Sequence, residues 1–244
     1  MTILVAVLAL LQAPAESPLK PLVGAARHVE TGVNKFLKGE APAAALAPWA
    51  ASAPDEKKLR DDLKGAAVVQ AEVLGLEYEI SFYKAGAEVG RLSTFVYTEG
   101  DIASFMGFEY KAGPQTVHRE LALDKVKAFD ARLANAAAAL VAAIRLKKEE
   151  AVVFADPEKI AKRVGDERMA ASAGRLVEKG KKGAQAACAA IAALEYDELR
   201  LGLDDVALVA RQEGGAPVGT LSVDFSRNED KLTLSLDKYR PFKK

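Results

Sequence analysis

The chain repeats itself, and this constrains its fold more than any other feature. Lys64-Gly65-Ala66…Ala71…Leu76-Glu77-Tyr78 returns as Lys182-Gly183-Ala184…Ala189…Leu194-Glu195-Tyr196, seven identities in fifteen positions at an offset of 118. Val89-Gly90-x-Leu92-Ser93…Asp101…Tyr110-Lys111 returns as Val218-Gly219-x-Leu221-Ser222…Asp230…Tyr239-Arg240 at an offset of 129. A longer hairpin in the second copy would account for the change of offset. More loosely, His28-x-Glu30…Asn34-Lys35 aligns with His118-x-Glu120…Asp124-Lys125, pairing the only two histidines. A period of about 120 residues is far longer than a solenoid repeat, so the pattern predicts a duplicated domain.

Each copy reads as two helices followed by an antiparallel sheet, an α+β unit with three or four strands. In the second copy Val126, Phe129, Leu133, Ala137, Leu140, Val141 and Ile144 recur at helical spacing. Asp156-Pro157 then opens a further helix, with Asp placed to cap it and Pro in its first turn. That helix is expected to run toward Leu194 with a break at Gly180-Lys-Lys-Gly183. In the first copy, helices are expected near 18–38 and 55–76, separated by a Pro-interrupted loop around Trp49. Period-two alternation follows Tyr196: Leu199, Leu201 and Leu203, then Leu221, Val223 and Phe225, then Leu232, Leu234 and Leu236. Three strands near 77–84, 88–98 and 101–111 correspond in the first copy.

The N-terminus suggests an address. Ile3 to Leu11 is an uncharged apolar run of nine residues, followed by Gln12-Ala13-Pro14-Ala15. Nine residues cannot span a bilayer, which takes about 20. Ala13 and Ala15 have the small-residue spacing of a signal-peptide cleavage site, although the run lacks a preceding Lys or Arg. The expected organisation is a signal peptide over 1–15, a first α-α-β-β-β repeat over 16–112 and a second over 113–244. A secreted or periplasmic protein follows, with no membrane-spanning segment in the mature chain.

Composition narrows the chemistry. Lys and Arg total 34, balanced by 34 Asp and Glu, so no basic excess exists to neutralise nucleic-acid phosphates. A single Cys rules out an internal disulfide and every multi-Cys metal site. Cys188 lies among alanines on an apolar helix and reads as a small core residue. His28-x-Glu30 and His118-x-Glu120 place each Glu about 200° round a helix from its His, so neither makes a dyad. Ser81-x-x-Lys84 matches a Ser-Lys nucleophile pattern, but it falls in a strand, where i and i+3 face opposite sides. Gly-rich phosphate loops, His-Glu-x-x-His and nucleophile elbows do not occur. Neither a cofactor nor a metal is implied. Gly65 and Gly183, at matched helix positions, suggest a close helix–helix approach.

Aromatic residues supply the one candidate surface. Eight of the sixteen lie between Tyr78 and Tyr110, and the adjacent Phe82 and Tyr83 must point to opposite faces of a strand. Phe95 and Phe108 correspond to Asp224 and Asp237 in the second copy. The first sheet is therefore apolar on both faces, and its extra face is covered by the chain itself or serves as a binding surface. The candidate binding residues are Phe82, Tyr83, Phe95, Tyr97, Phe108 and Tyr110. The preferred reading is a non-enzymatic binding protein that docks a protein or small apolar ligand through its sheet faces or the groove between copies. The alternative is a small-ligand carrier or enzyme with a cavity against the aromatic sheet.

Overall fold

The structure, a computed structural model, describes residues 20–42, 56–100, 102–115, 120–129, 131–146, 152–228 and 231–242. The apolar run at 1–15, the Trp49 loop and His118 lie outside the described residues. Helix α1 (Lys20–Leu37) buries Val23, Ala26, Val33 and Phe36, a stripe at helical spacing. Helix α2 (Glu56–Gly65) is followed by the meander β1 (Gln70–Lys84), β2 (Ala87–Glu99) and β3 (Ile102–Ala112). A short strand β4 (Glu120–Ala122) leads into α3 (Leu123–Phe129) and α4 (Ala131–Arg145). Helices α5 (Pro157–Val164) and α6 (Arg168–Ala193) precede a second meander, β5 (Glu198–Arg211), β6 (Pro217–Asn228) and β7 (Lys231–Pro241). The α+β class is as expected. Among the described residues, no helix is long and apolar enough to cross a membrane.

Both meanders belong to one antiparallel sheet, ordered β3-β2-β1-β5-β6-β7, with β4 pairing β5 at residues where β6 does not. The join is the long β1–β5 pairing, which runs from Gln70↔Arg211 to Tyr83↔Glu198. Where β1 extends beyond β2, helix α1 supplies the missing partners: Ala71 N–H donates to Asn34 Oδ1 at 2.8 Å and Val73 N–H to Glu30 Oε2 at 3.0 Å. Side chains i and i+4 on one helix thus stand in for a strand.

The second hairpins of the two meanders pair in the same register at both ends, while their bulges fall at different places. Gly90 faces Ala112 as Gly219 faces Pro241, Leu92 faces Tyr110 as Leu221 faces Tyr239, and Glu99 faces Ile102 as Asn228 faces Lys231. Every one of these pairs keeps the offset of 129. The tyrosine ring explains the glycine: a Cβ on Gly90 would fall 2.3 Å from the Tyr110 hydroxyl, and one on Gly219 2.6 Å from Tyr239 Cε2. The other two alignments take dissimilar structures. Leu76-Glu77-Tyr78 is mid-strand in β1, whereas Leu194-Glu195-Tyr196 links α6 to β5. Glu30 is helical and Glu120 is in a strand. A common origin of the halves is our proposal, and it rests on the meanders alone.

Several boundaries differ from expectation. The helix expected over 55–76 ends at Gly65, because Val68 and Val73 are β-branched and pack into the sheet, and Ala67 turns the chain with φ 51°. The helix opened by Asp156 is capped as expected, with Glu158 N–H donating to the Asp156 carboxylate at 3.0 Å. It breaks at Gly165, left-handed at φ 74°, and α6 then runs unbroken through Gly180-Lys-Lys-Gly183. Among the described residues nothing lies within 4 Å of a Cβ built on Gly65 or Gly183, so neither shows the close approach. It is at Gly180, whose Cβ would sit 3.2 Å from the Phe108 backbone nitrogen and 2.8 Å from the Phe154 ring.

That approach shows how the chain wraps its sheet. The main core lies on one face, under α1, α4 and the C-terminal half of α6, and includes Phe36, Leu140, Ile144, Cys188 and Ile191. A second cluster on the opposite face joins Leu74, Tyr97, Met106 and Val209 to Ala155, Ile160, Val164 and Ala173. Between them the chain turns round the β3 edge. Phe105 N–H donates to Val153 O at 2.7 Å, and Ala155 N–H donates back to Phe105 O at 2.9 Å. Helix α6 then crosses from the second cluster to the first at Gly180.

Candidate functional site

The six aromatics fall on opposite faces of the sheet. Phe82 and Phe108 are buried in the main core and Tyr110 packs against it, with Phe82 and Tyr110 edge to face at 6.3 Å. Tyr97 is buried in the second cluster, and Phe95 packs against that cluster half-buried. Tyr83 stands apart, half-buried, with the Arg200 guanidinium 3.9 Å from its ring centroid. The chain itself, through α5, α6 and residues 152–155, fills the space over the extra apolar face.

Beside Tyr83 the sheet carries a buried ion cluster. Ser81 faces Arg91 on one neighbour and Arg200 on the other, and the next row aligns Ser93, Glu79, Gly202 and Glu120. Arg91, 3% exposed, donates to Glu88 at 2.8 Å and Glu79 at 3.1 Å, and lies 3.7 Å from Glu120. Ser93 donates to Glu79, and Tyr83 donates its hydroxyl proton to Glu120. Burial, reinforced by that Glu120 carboxylate, pushes the Tyr83 hydroxyl up to about 12. A phenol so placed stays protonated and does not serve as a base near neutrality. Burial works against the Arg91 charge, but Glu88 and Glu79 outweigh it and hold the guanidinium above its ordinary range. The Ser81 hydroxyl is buried with no hydrogen-bond partner among the described residues.

A second ionic clamp holds α5. Arg163 donates to Glu72 at 2.6 Å, to Val73 O at 2.8 Å and to Thr98 O, while Arg211 donates to Glu72 at 2.9 Å and to Arg163 O at 3.1 Å. Desolvation opposes the Glu72 charge, but the two guanidinium groups prevail and hold its carboxyl below the usual range. A cavity of about 90 Å³ opens beside this clamp, between α1 and the β1–β2 end.

A depression near the ion cluster lies where the halves meet. Ala122, Leu123, Asp124 and Lys125, at the β4–α3 junction, face Tyr196, Asp197, Glu198 and Leu199, at the α6–β5 junction, across about 560 Å³. Its apolar lining comes from Leu123, Tyr196 and Leu199, and its rim carries three carboxylates against one ammonium. Backbone bonds fix the second wall: Asp197 N–H donates to Tyr83 O at 2.9 Å, and the Asp197 carboxylate accepts from Ala85 N–H at 2.8 Å. Ala85 and Gly86 both have positive φ, the two-residue turn that joins twisted strands without splaying them. Glu198 accepts from Arg200, so the rim connects through Tyr83 and Glu120 to the ion cluster. Among the described residues, no three His, Cys, Asp or Glu side chains are grouped to hold a metal ion. Sequence reasoning missed this groove because β4 has only three residues and no alternation to announce it.

No family model matches the chain, and comparison with curated proteins and with solved structures finds no match.

Proposed function

We propose that this is an exported, non-enzymatic binding protein that docks a basic, apolar segment of a partner protein in the groove between β4–α3 and α6–β5. One observation carries the reading: the groove combines an apolar lining with a rim of Asp124, Asp197 and Glu198 at the seam of the two meanders. Apolar contact supplies affinity, and a rim with carboxylates in excess selects partner charge and speeds encounter. The neighbouring ionisable groups favour binding over catalysis, because Arg91 and Glu120 are sealed from solvent and Arg91 spends its hydrogen bonds on Glu88 and Glu79. The carrier or enzyme reading needed a cavity against the aromatic meander, and α5 and α6 occupy that space. Export is part of the same proposal and rests on the Ile3–Leu11 run with its Ala13-Pro-Ala15 end.

Selection of a random peptide library on the purified protein tests the docking site. Peptides rich in Lys or Arg and Leu should be enriched. Their affinity should fall about tenfold when Asp124→Lys and Glu198→Lys reverse two rim charges. Enrichment of acidic peptides, or affinity indifferent to the reversal, would refute it.

A further inference from the structure

The two edges of the sheet are treated differently. Residues 153–155 occupy the β3 edge through the reciprocal Phe105 bonds. At the other edge, β7 pairs with β6, and among the described residues no strand pairs with its outer side. This edge runs eleven residues, Lys-Leu-Thr-Leu-Ser-Leu-Asp-Lys-Tyr-Arg-Pro, with its one proline at the very end. A long edge without internal proline is a template for another strand.

Independently of the groove, we propose that a second copy of this chain adds to this edge by antiparallel β7–β7′ pairing about a two-fold axis at Leu234. Register fixes which backbone groups are available. Phe105, three residues after the turn-closing Ile102, presents its N–H and C=O outward, as its bonds to Val153 and Ala155 show. Leu234 stands three residues after the turn-closing Lys231 in the matching hairpin, so its N–H and C=O also face away from β6. A two-fold axis there makes Leu234 and its copy a reciprocally bonded pair. The same axis sets Lys231 opposite Asp237, Leu232 opposite Leu236 and Thr233 opposite Ser235. Moving the axis one residue, to Ser235, would set Leu232 opposite Lys238 and bring inward-facing backbone groups to the centre. Cross-strand charge and apolar matching therefore favour the axis at Leu234 over one at Ser235. The β6–β7 register shift between Ser222 and Val223 skips Asp237 on the β6 side, leaving that position to the new partner.

Sedimentation velocity on the full-length protein should give a dimer mass at micromolar concentration. Leu234→Pro removes an N–H that β6 does not use, so the mass should halve while the circular dichroism and melting curve persist. Lys231→Asp sets Asp opposite Asp and should also yield monomer, and the exchange Lys231→Asp/Asp237→Lys should restore the dimer. If Leu234→Pro fails to fold, the charge exchange decides alone. A wild-type monomer at the highest soluble concentration, an assembly larger than a dimer, or a dimer indifferent to both Lys231→Asp and the exchange would overturn the proposal.

Discussion

Arg91 is the residue whose loss the sheet should feel most. Three carboxylates, Glu79, Glu88 and Glu120, surround one guanidinium that water barely reaches. Removing the cation leaves those charges facing each other in a desolvated space. Arg91→Met should therefore destabilise the fold by about 3–5 kcal/mol. Urea unfolding measures it, and a midpoint close to wild type would mean that water reaches the cluster. The residue was hidden in the sequence for a definite reason. It occupies the variable position of Val-Gly-x-Leu-Ser, where the aligned segment has Thr220, so the recurring motif carries no signal of its role. Its partner Glu120 was read into a helix-associated His-x-Glu, far from a strand beside Gly202.

At the scale of elements, α6 gives the sharpest contrast, because two of its three glycines, Gly180 and Gly183, sit three residues apart in different surroundings. Gly183→Ala adds a methyl with nothing within 4 Å and removes backbone freedom, so it should stabilise by about 1 kcal/mol. Gly180→Ala drives a methyl against the Phe108 backbone and the Phe154 ring, and should destabilise by about 1–3 kcal/mol. Thermal midpoints moving in opposite directions would verify the crossing of α6 over the β3 edge, and two upward shifts would contradict it. The sequence suggested a break at this pair, since two glycines weaken a helix. It could not show that Gly180 is the point where the helix passes a strand backbone, or that Gly165 ends α5 instead. Strands were more legible: period-two alternation located β2, β3 and the second meander to within a few residues. The start of β1 was lost to the helical spacing of an alanine-rich stretch, although Val68, Val69 and Val73 carried the β signal.

For the whole molecule, the decisive fact is one sheet shared by both halves through β1 and β5, with later segments of the chain folded round its first edge. Period-two alternation announced two groups of strands, but pairing between them is a long-range choice that no local pattern encodes. The same holds for the aromatic residues. Their concentration between Tyr78 and Tyr110 pointed correctly to a sheet apolar on both faces, while the identity of the cover lay fifty residues downstream, in Ala155, Ile160 and Val164. This second face thus belongs to the protein interior, which is why we propose docking at the seam instead. Phe95→Asp tests it most directly. Phe95 packs against the second cluster, and its ring lies where a Cβ on Gly75 would be, 2.5 Å away. A carboxylate there loses that packing and enters an apolar site without a partner, a cost of about 2 kcal/mol or more. The account predicts a large drop in the thermal midpoint of Phe95→Asp. A near-native midpoint would contradict it and return the aromatic meander to the role of an open binding face.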